Sequence, residues 1–173
     1  MGARIRLRDD GDLSECVRLL EMVHRGDGYP TYWPDDPARW LSPRPMLGAW
    51  VAEDDNDGRI VGHITLRAGT ADASAAVWSD ATGLLPEQLA SVTRLFVSRD
   101  RRGAEVGGAL LDAACTEAAT RGLHPALDVV ETNHDAIRLY EQRGWRRVLS
   151  EPWAAHDGKT LLHYYVAPPA ETG

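Results

Sequence analysis

Apolar and polar positions alternate at the start of the chain. Arg4–Arg8 places Ile5 and Leu7 on one side between arginines, the period of an edge strand. Asp12 stands three residues before Glu15, a variant of the capping box, and Leu13, Cys16, Val17, Leu20 and Val23 then recur at helical spacing. Leu47–Glu53 and Arg59–Arg67 read as two strands of a hairpin joined by Asp54-Asp55-Asn56-Asp57-Gly58, with Val61, His63, Thr65 and Arg67 sharing a face of the second. The run Val92–Val97, with β-branched and aromatic members, predicts a buried strand. An arginine-rich corner, Ser98–Arg102, and a small-residue loop, Gly103–Gly108, lead into a helix from about Val106 to Arg121 that Gly122 closes. Pro125–Val130 is a further strand. Thr132 or Asn133 then caps a helix with Asp135 in its first turn and Gly144 at its end. Trp145–Leu149 and Thr160–Ala167 close the pattern as two more strands.

Two segments break the periodicity. His24–Pro45 holds five of the ten prolines together with Tyr29, Tyr32, Trp33 and Trp40, and a short helix over Pro37–Leu41 is expected after Asp35-Asp36. Aromatics interleaved with Asp27, Asp35 and Asp36 suit a pocket for a cationic group; a rigid loop whose aromatics cover the sheet is the other reading. Ala68–Pro86 reads as a small, polar connection carrying Trp78 and Asp80, with the length of a mobile or lineage-specific insertion.

Composition narrows the class. With 173 residues, 43% hydrophobic and 26% charged, the expectation is one globular domain over residues 4–168 and a frayed tail over 169–173. A formal charge of −7 argues against nucleic acid as the partner and leans towards a cationic one. Cys16 and Cys115 fall in helical patterns as apolar fillers, with neither disulfide nor metal spacing. No apolar run reaches membrane length and the start has no signal-peptide core, so a cytoplasmic setting is expected.

The strand–loop–helix corner at 92–121 carries the chemistry. The first amide N–H groups of a helix lack intrahelical partners and face the turn before it, where the dipole favours an anion. Small residues admit a phosphate to the backbone there, and Arg101 and Arg102 add countercharge. A Walker loop is excluded because Ala109-Leu110 stands where Lys-Ser/Thr would follow, and Gly103, Gly107 and Gly108 do not make G-x-G-x-x-G.

The pattern resembles the acyl-CoA loop of the GNAT superfamily of N-acyltransferases, Arg/Gln-x-x-Gly-x-Gly/Ala after a Leu-x-Val strand. Arg102, Val106 and Gly107 match, as do Leu95 and Val97 upstream and Leu110-Leu111 downstream, while Glu105 replaces the first motif glycine. A second stretch resembles the family's N-x-x-A-x-x-x-Y motif followed by Gly-Phe: Asn133, Ala136, Tyr140 and Gly144 match, with Trp145 for the Phe. Together the likeness extends from Ile5 to Val166.

The resemblance implies a mixed α/β (α+β) fold: a mostly antiparallel seven-stranded sheet, helices on both faces and a splayed central strand pair, in the order β-α-α-β-β-β-α-β-α-β-β. It also implies acetyl-CoA, or coenzyme A, as cosubstrate. The cofactor would lie on Leu95, Phe96 and Val97, on the loop Arg102, Gly103, Ala104, Glu105, Val106, Gly107 and Gly108, and on Asn133, Ala136 and Tyr140. Tyr140 would protonate the leaving thiolate, and a backbone N–H of Leu95–Val97 would hold the oxyanion. Many relatives place a Glu base where Ser91 stands; Glu131 and His63 lead the remaining candidates, followed by Glu87, Asp80 and His163. For His63 a hydrogen-bonded structural role competes with that of a base. Tyr29, Tyr32 and Trp33 are the candidate contacts to a small, cationic primary amine. A peptide or protein amine, and a non-catalytic acyl-CoA-binding or regulatory module, are the alternatives. Neither nucleic acid nor membrane is an expected partner, and a homodimer is left open.

Overall fold

The structure, a computed structural model, describes residues 2–102 and 105–169. Contacts divide the chain into two compact units, Met1–Arg67 with Val92–Glu117, and Ala68–Ser91 with Ala118–Gly173. The strands form one seven-stranded sheet in the order β1-β2-β3-β4-β5-β7-β6.

In the first unit, β1 (Ala3–Leu7) pairs antiparallel with β2 (Met46–Asp54), and β2 with β3 (Ile60–Ala68). The register sets Val51 opposite His63 and Ala52 opposite Gly62, so the first pair faces one side and the second the other. Helix α1 (Leu13–Asp27) lays Cys16, Leu19, Leu20 and Val23 on Val51, Ile60 and Phe96. Helix α4 (Val106–Thr120) covers the opposite side. It lies close because position 62 has no side chain: a Cβ there would come within 2.8 Å of a Leu110 methyl and 3.2 Å of Val106. The expected capping box at Asp12 and Glu15 is displaced. The Asp12 carboxylate accepts from the Asp9 amide at 2.7 Å, while Glu15 accepts from the Ile60 amide at 2.6 Å and so ties α1 to β3. Helix α2 (Pro37–Trp40) forms where proline at its first position favours it, capped by Asp36, which accepts from the Arg39 amide at 3.1 Å.

In the second unit, the first residues of β4 (Leu89–Val97) pair in parallel with β5 (His124–Val130), the register running from Leu89↔His124 to Ser91↔Ala126. β5 pairs antiparallel with β7 (Leu161–Val166), and β7 with β6 (Arg146–Pro152). The segment 68–86 is no plain connection. It contains helix α3 (Ala75–Thr82), whose Trp78 is fully buried against Leu89, Ala126, Tyr164 and Val166 and donates its indole N–H to the Leu127 carbonyl at 3.1 Å. Helix α5 (His134–Gln142) brings Tyr140 onto Tyr165 and Trp145, at ring-centroid distances of 6.1 Å and 5.8 Å.

Candidate active site

The loop that opens α4 is the first component. Gly103 and Ala104 of the expected cradle lie outside the described residues. Glu105, the residue at the motif-glycine position, has φ 64°, the left-handed conformation that glycine adopts without strain. Its side chain is exposed. The Ala109 amide bonds the Glu105 carbonyl at 3.0 Å, and the amides of Val106, Gly107 and Gly108 stand in the first turn of α4, where a helix exposes its donors. No acidic residue stands in the first turn of α4, and Val106 is buried, anchoring the turn to the core. Helix-start amides and the small residues Gly107 and Gly108 suit this corner to an anion, against which the Glu105 carboxylate counts.

The guanidiniums of the corner are already engaged. Arg102 donates to Asp27 at 2.5 Å and to the Val97 carbonyl at 3.3 Å, and Arg99 donates to the other Asp27 oxygen at 3.0 Å. Arg102 first, then Arg99, holds the Asp27 carboxyl below the usual carboxylate range. Arg101 does not act as a free countercharge, contrary to expectation: it pairs with Asp54, a carboxylate 2% exposed at the end of β2. Asp54 also accepts the Asn56 amide at 2.8 Å, so its charge organises the β2–β3 turn and the arginine corner together.

The second component is a kink inside β4. Arg94 has φ 57°, a conformation a non-glycine strand residue rarely holds. Its carbonyl lies 2.9 Å from His63 Nδ1, and a carbonyl only accepts, so Nδ1 carries the proton. His63 Nε2 lies 2.9 Å from Arg8 Nη1, a donor only, so Nε2 accepts. The imidazole is fully buried and stacks on Phe96 at 5.1 Å and 17°. Burial, with Arg8 and Arg94 nearby, pushes its pKa down to about 3. Both nitrogens are committed and burial favours the neutral form, the arrangement of a hydrogen-bonded structural histidine. Arg94 also reaches out: Nε donates to the Trp40 carbonyl at 3.1 Å, and the guanidinium lies 4.0 Å from the Trp40 ring centroid. Arg8 donates to the next carbonyl, that of Leu41, at 2.8 Å. Two arginines therefore hold the end of α2.

The aromatic segment is ordered by these contacts. Tyr29 packs edge-on to Trp40 at 6.2 Å and near Phe96 at 6.3 Å, so it belongs to the cover of the core. Trp33 is 38% exposed against His24, whose Nδ1 donates to the Pro30 carbonyl at 2.7 Å, and Tyr32 is 58% exposed. Of the three acids expected to attract a cation, Asp27 binds two arginines and Asp36 caps α2; Asp35 is exposed.

The third component is α5. Asn133 takes the N-cap position without a side-chain bond to the helix, so its amide group is not consumed by capping. Ala136 is half-buried and Tyr140 is 5% exposed, its ring fixed by Trp145 and Tyr165. Glu131 follows β5, its amide bonded to the Leu161 carbonyl at 2.9 Å and its side chain half-exposed. His163, 7% exposed, contacts Ser150 Oγ at 2.7 Å. Burial and Arg147 lower its pKa, which disfavours it as a base. Ser91 is 2% exposed and donates to Asp72 at 2.6 Å. Sequence reasoning missed Arg8, Arg94 and Asp54. An arginine inside a strongly apolar strand was the available signal for Arg94; Arg8 and Asp54 carried none, since each looks like an ordinary residue at a strand end.

Solved structures share this fold over nearly the whole chain. A GCN5-related N-acetyltransferase from Kribbella flavida is 23% identical with a TM-score of 0.71, covering 96% of this chain and 98% of its own. The ribosomal-protein-S18-alanine N-acetyltransferase from Escherichia coli is 18% identical with a TM-score of 0.70, covering 99% and 96%. The Salmonella typhimurium protein yncA, solved with its cofactor acetyl-CoA, is 16% identical with a TM-score of 0.72, covering 100% and 97%. Among curated proteins no sequence matches. The model of the acetyltransferase (GNAT) family matches residues 14–145, a span that takes in the β4–α4 corner, β5 and α5. With the family model matched over most of the chain and the fold shared with solved N-acetyltransferases, the chain belongs to the acetyltransferase (GNAT) family.

Proposed function

We propose that this N-acetyltransferase, whose cosubstrate is acetyl-CoA, acetylates the primary amine of a small molecule by direct attack on the thioester. The observation that carries the reading is the corner at 102–109. A left-handed residue stands at the motif-glycine position, the first amides of α4 follow it, and Arg102 lies in the loop before them. Those amides and Arg102 would hold the diphosphate, and Asn133 and Ala136 would contact the cofactor from α5. Acetyl-CoA supplies an acyl carbon activated by sulfur.

The chain's own residues then have three tasks. Glu131 takes a proton from the ammonium, directly or through water, so that the amine nitrogen can bond to the acyl carbon. Amides of Leu95–Val97 donate to the carbonyl oxygen as it gains charge. Tyr140 gives its hydroxyl proton to the sulfur as the carbon–sulfur bond breaks; a phenol near pKa 10 can protonate a thiolate whose conjugate acid lies about 1.5 units lower. The net charge of −7 favours a cationic acceptor, with Tyr32, Trp33 and Asp35 as its exposed contacts. A peptide amine is the second reading, favoured by that same exposure, which leaves room for an acceptor larger than an enclosed pocket admits.

Thiol release from acetyl-CoA, followed across a panel of small amines and peptide N-termini, tests both. Release on small amines alone supports the proposal, release on peptides alone supports the second reading, and binding with no release on any amine identifies a non-catalytic module. Tyr140→Phe is expected to lower kcat about 10²-fold or more with the Kd for coenzyme A unchanged. An unchanged kcat would remove Tyr140 from the acid role.

A further inference from the structure

The kink in β4 is held by a chain of contacts that begins far from it in sequence. Arg8 donates to His63 Nε2, His63 Nδ1–H donates to the Arg94 carbonyl, and Arg94 sits at φ 57°. A non-glycine residue in this region is strained and persists only where its surroundings over-determine it. Here the surroundings are specific. Arg8 can only donate, so it fixes which nitrogen of the buried ring carries the proton, and the stack on Phe96 fixes the plane of the ring. The ring therefore presents one N–H in one direction, at the carbonyl that the left-handed turn swings out of the strand. Rotation of that peptide plane sets the aim of the amide that follows, Leu95, the first of the three residues proposed to hold the developing oxyanion.

We propose that His63 is a positioning residue: oriented by Arg8, it locks the left-handed turn at Arg94 and thereby aims the Leu95 amide at the reacting carbonyl oxygen. The inference rests on the functional reading above and deepens it. His63 is fully buried, and its two nitrogens are taken by Arg8 and by the Arg94 carbonyl. The charged groups facing it are Arg8 from the end of β1 and Arg94 from β4; Val51 of β2 stands opposite it in the register and Phe96 lies against its face.

The test separates the two ring nitrogens. An asparagine amide group can take the place of Nδ1, and a glutamine amide group the place of Nε2. His63→Asn keeps the donor to Arg94, whereas His63→Gln keeps only the partner for Arg8, and His63→Phe keeps only the stack. With acetyl-CoA as the probe and water as acceptor, thiol release at saturation is expected to fall roughly ten- to a hundredfold in His63→Phe and His63→Gln. In His63→Asn it should stay within about fivefold of the parent, and the Kd for coenzyme A should change little in all three. Equal losses in Asn and Gln, or no loss in Phe, would overturn the proposal. The nitrogen resonances of the wild-type imidazole give a readout free of activity. A neutral Nδ1–H ring that does not titrate between pH 5 and 8 is expected, and an Nε2–H tautomer or a midpoint near 6.5 overturns the lock whatever the kinetics show. Should wild type neither bind coenzyme A nor release thiol while the tautomer is as stated, the functional reading fails and the aiming role falls with it.

Discussion

Arg94 and Glu105 are the two non-glycine residues with left-handed backbone among the described residues, and both stand where the family resemblance places cofactor contacts or their neighbours. For Glu105 the sequence showed a carboxylate in place of a glycine, and charge repulsion was the visible consequence. The backbone consequence was not, because φ is set by the loop around the residue and not by its identity. Glu105→Gly removes both costs. A left-handed residue with a side chain costs about 1–2 kcal/mol relative to glycine, offset in part by the greater freedom of glycine in the unfolded chain. The expected result is unchanged or slightly raised stability and tighter coenzyme A binding, the gain shrinking as salt screens the charge. Calorimetric titration at low and high ionic strength checks it; weaker binding would show that Glu105 makes a favourable contact.

His63 has its own consequence at this scale. Its folded pKa of about 3 lies below the ordinary value, so the unfolded chain binds the proton first as pH falls. The stability it permits is fully present above pH 6.5 and is lost progressively from there towards 3. Each pH unit inside that window costs about 1.4 kcal/mol, so about 2 kcal/mol disappears between pH 6.5 and 5. Urea unfolding of wild type and His63→Phe at these two pH values should show the slope shrinking by that amount in the variant. His163, also depressed, contributes equally to both chains and cancels. Of the two readings open from sequence, base or structural residue, hydrogen-bond geometry favours the second, and periodicity holds no information about it.

Elements announced by strong periodicity fold close to their expected bounds: β2, β3 and α5 need only a residue or two of adjustment, while α1 runs four residues beyond Val23 into the segment read as irregular. Helix α3 was illegible because its eight residues carry one large buried side chain, Trp78, and its partners lie on β4, β5 and β7. A helix that short shows no stripe; its stability comes from the sheet it covers. The same logic hid Asp27, the last residue of α1. Read as part of an acidic loop, it instead holds Arg99 and Arg102 beside the proposed diphosphate site. A carboxylate there competes with phosphate for Arg102. Asp27→Asn should release that guanidinium, tightening coenzyme A severalfold and steepening the dependence of affinity on salt. Binding isotherms at two salt concentrations read both effects, and a weaker complex would mean that Asp27 aligns Arg102 more than it restrains it.

Across the whole chain the fold class and the family were legible, because the motifs that carry them rest on spacing along single segments: Arg102 to Gly107, and Asn133 to Tyr140. The β4 kink, built from Arg8, His63 and Arg94 on three strands or their ends, was not. One measurement on the intact protein bears on all of this. A ligand that binds only the folded chain stabilises it by RT ln(1 + [L]/Kd), about 2.7 kcal/mol at a hundredfold excess over Kd, worth roughly 5–10 °C in Tm for a chain of this size. Coenzyme A should raise Tm by that order at neutral pH. The rise should diminish with salt, since part of it comes from Arg102 and the α4 amides meeting a diphosphate, and it should be smaller in Arg102→Gln. Arg102 also binds Asp27, so the unliganded variant is itself less stable, and each shift must be referenced to its own unliganded Tm. A shift of equal size in the two proteins would place the diphosphate elsewhere than the α4 corner. No shift at any concentration would remove the cosubstrate from the fold, and with it the roles given to Tyr140 and Glu131.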